Sequence, residues 1–128
     1  MSVKVADASA VVAVLFDEPA GDAIRQRLEG ETIVAPQLLP FEVANTCLTK
    51  LRRQPASRAS LLAAFAKLAE FGIELLEVDQ QAAVSTAEES GLSLYDASYL
   101  WLARELGAEL VTLDKKLQQA ADASPRGA

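Results

Sequence analysis

Short apolar runs that alternate with longer amphipathic stretches are the feature that most constrains how this chain can fold. Each run has the length and composition of a buried strand, and each is followed by residues with the apolar spacing of a helix. Parallel strands need crossover connections and are buried on both faces. The alternation therefore predicts an α/β fold, a three-layer α/β/α sandwich with a short central parallel sheet. The predicted strands are Val3–Ala6, Thr32–Ala35, Glu74–Val78 and Glu109–Leu113.

Glycines, prolines and capping residues set the predicted helix boundaries. The predicted helices are Ala8–Phe16, Ala20–Leu28, Pro36–Arg53, Ser57–Phe71, Asp79–Glu89, Ser93–Leu106 and a short one that begins at Asp114. A length of 128 residues fits one domain. We expect that domain to occupy residues 1–123 and residues 124–128 to form a frayed tail.

Composition excludes several kinds of protein and site. The chain has no histidine, which excludes His-based zinc sites and Ser-His or Cys-His catalysis. Its one cysteine, Cys47, cannot form an internal disulfide and fits a core position. No apolar run approaches the ~20 residues that cross a bilayer, and the N-terminus lacks a signal-peptide pattern. We therefore expect a cytoplasmic protein without membrane contact.

Four carboxylates lie in or directly after apolar segments. Asp7 and Asp114 follow predicted strands, whereas Glu42 and Asp96 interrupt apolar helical stretches. Unpaired ionised carboxylates are costly in such surroundings, so carboxylates that converge there shift their pKa values, pair with cations, or hold Mg²⁺ or Mn²⁺ through oxygen. Parallel sheets bind ligands at the carboxyl ends of their strands, so Asp7 and Asp114 are expected to meet at one edge.

Three of the four acids also have a structural explanation. Asp7 and Asp114 stand where helices begin, and Asp is among the best N-cap residues. Asp96 and the serine three residues before it have the spacing of a capping box. Glu42 has no such partner, and helical spacing places it on a polar stripe with Asn45. Glu42 is therefore the acid that capping explains least.

The net charge of −6 argues against a general nucleic-acid coat, because nonspecific phosphate binding needs a basic face. The basic residues nevertheless cluster in two places, around residues 50–58 and at residues 115–116. These clusters could contact RNA beside an acidic centre or could be solvated helix ends, and both interpretations stay open. The candidates for RNA contact are Lys50, Arg52, Arg53, Lys115 and Lys116.

Four ordered segments resemble the motifs of PIN-domain ribonucleases, and in particular the VapC-type toxins of type II toxin-antitoxin pairs. The segments are Val5–Ser9, Pro40–Asn45, Leu94–Ala103 and Leu110–Leu117. The resemblance implies a PIN-like fold in which Asp7, Glu42, Asp96 and Asp114 surround Mg²⁺ or Mn²⁺. It also implies that Ser9, Asn45 and Thr112 are supporting polar residues.

The same resemblance implies endonucleolytic hydrolysis of unpaired RNA by water. It further implies a homodimer and a cognate VapB-type antitoxin that lies over the acidic groove. Apolar residues of the first third of the chain and of the helix after residue 57 could form the antitoxin groove or belong to the core. These residues are Val11, Val12, Leu15, Phe16, Leu61, Leu62, Phe65 and Leu68.

Two other functions remain open. A PIN-like binding module would keep the acids only as helix caps, would bind no metal, and would tolerate Glu42→Gln. Another Mg²⁺-dependent, phosphate-handling α/β domain is disfavoured. A response-regulator receiver needs a phosphoacceptor Asp near the middle strand, and no Asp lies between Asp22 and Asp79. A haloacid-dehalogenase phosphatase needs a second Asp where this chain has Ser9.

Overall fold

Four short strands and the helices that connect them make up the computed structural model, which describes residues 2–123. The strands are β1 (Val3–Ala6), β2 (Thr32–Pro36), β3 (Glu74–Leu76) and β4 (Glu109–Val111). The helices are α1 (Ala8–Leu15), α2 (Gly21–Leu28), α3 (Leu39–Arg53), α4 (Arg58–Ala66), α5 (Gln80–Ser90), α6 (Leu94–Leu106) and α7 (Lys115–Asp122). The predicted tail, residues 124–128, lies outside the described residues.

The strands form one parallel sheet in the order β3-β2-β1-β4. In the middle of it, Val5 pairs with Val34 on one side and with Leu110 on the other, and all three are buried. The chain moves outward from β1 to β3 and then returns to the far side of β1. The order therefore reverses between β1 and β4, and in open α/β sheets ligands bind outside the strand ends at such a point.

Helices cover the sheet in two groups. Helix α1 packs against α2 and α3, and α3 packs against α4, whereas α6 packs against β1, β2 and β4 and contacts both α5 and α7. The central position of α6 explains why most of its side chains from Ala97 to Ala103 are buried. This arrangement confirms the predicted three-layer α/β/α fold. None of the helices described in residues 2–123 combines the length and apolarity needed to cross a bilayer.

Two helices differ from the prediction by more than one residue. Helix α3 begins at Leu39 rather than Pro36, because Pro36 is the last residue of β2 and pairs with Leu76. The helix predicted from residue 57 to 71 is divided into α4 and a 3₁₀ segment, Lys67–Phe71. Gly72 follows that segment with a φ of 66°. Such tightening of the last turns is common where a helix ends.

Strands β3 and β4 both end two residues earlier than predicted. At β4 the reason lies in the hydrogen bonds that follow it. The Thr112 hydroxyl donates to Asp7 and the Leu113 N–H donates to Ser9, so both residues leave the sheet ladder. Thr112 and Leu113, which the apolar pattern assigned to the strand, therefore lie beside Asp7 at the end of the sheet.

Candidate metal-binding acidic centre

Asp7 lies directly after β1, is 5% exposed and caps α1. Its Oδ1 accepts hydrogen bonds from the Ala10 N–H (3.0 Å) and the Ser9 hydroxyl (2.7 Å), and its Oδ2 accepts one from the Thr112 hydroxyl (2.6 Å). Burial raises the pKa of Asp7 above its ordinary value, and the charge of Asp114 adds to the rise, although the three hydrogen bonds oppose it.

Ser9 and Thr112 also connect the loop after β4 to the start of α1. The Leu113 N–H donates to Ser9 Oγ (2.9 Å), and the Asp114 N–H donates to Thr112 Oγ1 (3.0 Å). The Asp114 carboxylate is exposed and caps α7 by accepting from the Leu117 N–H (2.9 Å). Asp7 and Asp114 therefore perform the capping that their positions predict, at the same edge of the sheet.

Glu42 lies in the first turn of α3 and reaches toward α6. Its Oε1 accepts a hydrogen bond from the hydroxyl of Tyr99 (2.6 Å), a residue that is 1% exposed. Burial raises the pKa of Glu42, the charges of Asp96 and Asp7 raise it further, and the Tyr99 hydrogen bond lowers it. Burial and the contact with Glu42 also raise the pKa of Tyr99, so the phenol keeps its proton and donates it.

Asp96 lies in the first turn of α6, where its N–H donates to Ser93 Oγ (3.1 Å). This bond is one half of the predicted capping box. Within residues 2–123 no group donates a hydrogen bond to the Asp96 carboxylate. Burial raises the pKa of Asp96, the charges of Asp114 and Asp7 add to the rise, and Lys116 opposes it. The carboxylate of Asp96 is thus the least engaged of those with a raised pKa.

The structure brings the four predicted acids to one edge of the sheet, at the switch point between β1 and β4. Each acid lies close enough to another to affect a carboxylate pKa, and burial raises that pKa for Asp7, Glu42 and Asp96. No Lys or Arg within residues 2–123 forms an ion pair with any of them. The edge therefore carries several partly buried carboxylates without a compensating ion pair.

The donor set fits a hard divalent cation, since Mg²⁺ and Mn²⁺ prefer carboxylate oxygens and Mg²⁺ usually keeps several water molecules. In their present orientations, no three Asp, Glu or Cys side chains of residues 2–123 converge closely enough to hold an ion. The hydrogen bonds explain part of this, because Asp7 faces Ser9 and Thr112 while Glu42 faces Tyr99.

Asn45 and Lys50 both lie on α3, after Glu42. The Asn45 side chain is exposed, and its backbone carbonyl accepts from the Thr49 hydroxyl. Lys50 pairs with Glu18 (2.8 Å) and lies over the ring of Phe16, 5.3 Å from its centroid. Lys50 is therefore engaged between α1 and α3 rather than beside the acids.

The two other basic pairs differ in their distance from the centre. Arg52 and Arg53 are exposed in the last turn of α3, and Arg52 lies roughly 15 Å along the helix from Glu42. Lys115 and Lys116 begin α7, directly after Asp114. The lysine pair borders the acidic centre, whereas the arginine pair does not.

Lys116 is a cation whose charge acts on an acid of the centre. Its Nζ donates to the Gly91 carbonyl (2.9 Å), and its charge lowers the pKa of Asp96.

Tyr99 is a site residue that was not predicted from the sequence. The signal was present, because Tyr99 follows Asp96 by three residues and so lies on the same face of α6.

Comparisons with known proteins agree with this geometry. The PIN domain model matches residues 4–123. Ribonuclease VapC12 of Mycobacterium tuberculosis is 30% identical over 116 residues, which cover 91% of this chain and 90% of the relative.

Two crystal structures share the fold. PAE2754 from Pyrobaculum aerophilum superposes with a TM-score of 0.76 at 24% identity, over 97% of this chain and 88% of its own. The sarcin-ricin loop cleaving toxin VapC20 of M. tuberculosis superposes with a TM-score of 0.63 at 17% identity, over 93% and 95%. The chain therefore belongs to the PIN domain family and is a relative of the VapC ribonucleases.

Proposed function

We propose that this chain is a metal-dependent endoribonuclease that hydrolyses RNA phosphodiester bonds and acts as the toxin of a toxin-antitoxin pair. Residues 1–123 would form its single nuclease domain. One observation carries the proposal: four carboxylates stand at the topological switch point, burial raises the pKa of three, and none has an ion-pair partner within residues 2–123. Such a site is suited to a divalent cation.

The residues of the centre would divide the work. A bound Mg²⁺ or Mn²⁺ lowers the pKa of bound water and offsets charge that develops on a phosphodiester in the transition state. Asp7 and Asp96 would be the direct ligands, and Asp114 would bind through water or serve a second ion. Glu42 would be a ligand or the base that orients the attacking water. Ser9 and Thr112 hold Asp7 in place.

RNA as the substrate is supported by the relatives, among them a VapC ribonuclease and a toxin that cleaves the sarcin-ricin loop. Lys115 and Lys116 offer positive charge beside the acids, where a phosphodiester must lie. Asn45 would be a polar contact at the exposed rim. The protein would act in the cytoplasm, where its RNA is found.

A cognate VapB-type antitoxin would inhibit the enzyme, and its basic segment would complement the acidic centre. Two grooves with apolar residues run along α4 and could seat it. One contains Phe16 and Leu61, the other Phe65 and Leu68. Val11 and Val12 are core residues instead, and Leu15 is a buried residue that also lines the first groove. The family resemblance also supports a homodimer, which light scattering of the purified protein would test.

The test is cleavage of a panel of structured RNAs by antitoxin-free protein with Mg²⁺ or Mn²⁺, with EDTA as one control and Asp7→Asn as another. We expect cuts at defined sites that EDTA abolishes and that Asp7→Asn reduces more than about 100-fold, because losing a ligand exceeds the roughly 10- to 100-fold cost of losing an outer-shell partner.

Asp22→Asn is the matched control variant. Asp22 lies in the first turn of α2 and pairs with Arg25 (2.9 Å), outside the acidic centre. Cleavage equal to wild type is expected from this variant, since it makes the same change from aspartate to asparagine without touching the centre.

A non-catalytic PIN-like binding module is the second candidate, and the caps made by Asp7 and Asp114 favour it. Such a module needs these acids for folding alone. Absence of cleavage together with absence of metal binding in calorimetry would support this candidate against the enzyme. Full RNA cleavage by Glu42→Gln would remove Glu42 from the proposed chemistry.

A further inference from the structure

A cleft of about 360 Å³ opens beside the acidic centre at the ends of β2 and β3. Its walls come from the residues that follow these strands and from the first turns of α5 and α6. The lining includes Gln37, Leu38, Glu77, Gln80, Leu94 and Tyr95. The cleft is thus a concave surface at the sheet edge on which the four acids lie.

The cleft and the acidic centre share two helix ends. Tyr95 directly precedes Asp96 in the first turn of α6. The Leu38 carbonyl accepts a hydrogen bond from the Glu42 N–H (3.2 Å) at the start of α3. Any polymer whose backbone crosses the acids can therefore place a neighbouring group in the cleft.

Tyr95 is the residue that gives the cleft its chemistry. It is 63% exposed although it is aromatic, and no group within residues 2–123 forms a hydrogen bond with its hydroxyl. Leu38, Val78, Ala83 and Leu94 add apolar surface around it. An exposed aromatic face above an apolar floor is what an unpaired nucleobase stacks on.

The polar lining also suits a base rather than a phosphate. No Lys or Arg of residues 2–123 lines the cleft, and Glu77 would repel an anion. Gln37 and Gln80 carry carboxamides, which pair with adenine edges, and a carboxylate such as Glu77 accepts from the amino group of cytosine. The cleft can therefore read a neutral, flat, hydrogen-bonding group.

We propose that this cleft is a nucleobase subsite, in which Tyr95 stacks on an unpaired base next to the phosphodiester that the acidic centre cuts. This inference rests on the proposed ribonuclease function and specifies how the substrate is held. It explains why an acidic protein can bind RNA, since stacking supplies affinity that the charge of −6 does not.

The test uses single-stranded oligouridylate that carries one 2-aminopurine, mixed with the full chain in EDTA so that nothing is cut. Wild-type protein should quench the 2-aminopurine fluorescence. Tyr95→Ala should lose the quenching and bind roughly 5- to 100-fold more weakly, as expected for one stacked base. Tyr95→Phe keeps the ring and should behave like wild type.

Leu106→Ala is the matched control variant, because Leu106 is 44% exposed at the opposite end of the same helix. It should leave the quenching unchanged. Oligonucleotides with abasic nucleotides provide a second test that does not depend on the folding of any variant. Wild-type protein should bind them as weakly as Tyr95→Ala binds the intact RNA.

The subsite would be overturned if Tyr95→Ala quenched the fluorescence and bound the RNA within about two-fold of wild type. The subsite would also be overturned if Tyr95→Ala changed the oligomeric state, measured by light scattering, and left RNA binding intact. That result would favour a protein interface. If wild type cuts no RNA with Mg²⁺ but Tyr95-dependent quenching persists, the nuclease proposal fails and the subsite stands. If wild type cuts RNA and Tyr95→Ala binds and cuts equally well, the subsite fails and the nuclease stands.

Discussion

The two halves of the acidic centre are held in different ways. In the strand half, formed by Asp7 and Asp114, each carboxylate follows a strand and caps the next helix. In the helix half, formed by Glu42 and Asp96, each carboxylate lies in the first turn of a helix. Glu42 accepts one hydrogen bond from Tyr99, and no group within residues 2–123 donates a hydrogen bond to the carboxylate of Asp96.

The difference separates folding from function. The strand half uses its acids for capping and for joining β1 to the loop after β4, so its residues matter to stability even without a metal. The helix half contributes no cap through its carboxylates within residues 2–123. Substitutions in the strand half should therefore lower both stability and activity, whereas those in the helix half should act mainly on activity.

Thr112→Val should have the largest effect of the substitutions that leave the acids in place. The Thr112 hydroxyl donates to Asp7 and accepts from the Asp114 N–H, so valine leaves two buried or half-buried groups without a partner. We expect RNA cleavage to fall roughly 10- to 100-fold. The free energy of unfolding should fall by about 1–3 kcal/mol, as measured by urea denaturation.

Thr86→Val is the control for that substitution. Thr86 is also buried, but its hydroxyl donates within α5 to the Ala82 carbonyl (3.0 Å). It should leave RNA cleavage at the wild-type level. Equal cleavage by both threonine variants would contradict the role of Thr112 in holding the strand half.

Tyr99→Phe should have a smaller effect, because it removes a single hydrogen bond to Glu42. We expect kcat to fall about 10-fold, at the lower end for an outer-shell partner, with KM unchanged. The loss of unfolding free energy should be near 1 kcal/mol. Tyr95→Phe is the control, since its hydroxyl has no partner within residues 2–123. A Tyr99→Phe enzyme indistinguishable from Tyr95→Phe would show that Glu42 needs no phenol.

The basic residues offer a charge-matched comparison on the two halves. Lys115→Ala/Lys116→Ala changes α7 beside Asp114, and Arg52→Ala/Arg53→Ala changes the end of α3 far from Glu42. We expect the lysine variant to reduce the slope of log affinity against log salt by roughly 0.7 for each single-strand phosphate that is no longer neutralised, and the arginine variant to leave the slope unchanged. A lysine variant with the same slope as wild type would show that the bound RNA does not contact Lys115 and Lys116.

The smallest effect should be on stability in EDTA. Folding raises the pKa of Asp7 and Glu42, so the stabilisation that comes from their protonation is complete below the ordinary values of 3.8 and 4.5. It is lost as the pH rises through the raised values. The Tm of Asp7→Asn should therefore rise relative to the Tm of wild type as the pH increases above 3.8. The corresponding rise for Glu42→Gln should be smaller, because Asp7 is more buried than Glu42.

Thermal unfolding across this pH range measures the effect. Added Mg²⁺ should stabilise wild type and reduce the advantage of both variants, since a ligand that binds only the folded state raises its Tm. A Tm of wild type that rose relative to the Tm of Asp7→Asn with increasing pH would contradict the raised pKa of Asp7.

Much of the fold was predictable because its signals are local. The apolar runs of β1 and β2 and the glycines after α5 and α6 depend on neighbouring residues alone. The errors fall where long-range pairing competes with local pattern. Pro36 joins β2 because Leu76 lies opposite, and Thr112 leaves β4 because Asp7 accepts its hydroxyl.

The sequence by itself determined the four acids, the caps at Asp7 and Asp114, and the alternation that yields a parallel sheet, since each depends on residue type and spacing. Only the tertiary structure decided that Tyr99 donates to Glu42, that Lys50 pairs with Glu18, and that Tyr95 lines a cleft beside the acids. These contacts join residues far apart in the chain, and helix packing rather than local propensity sets which side chains meet.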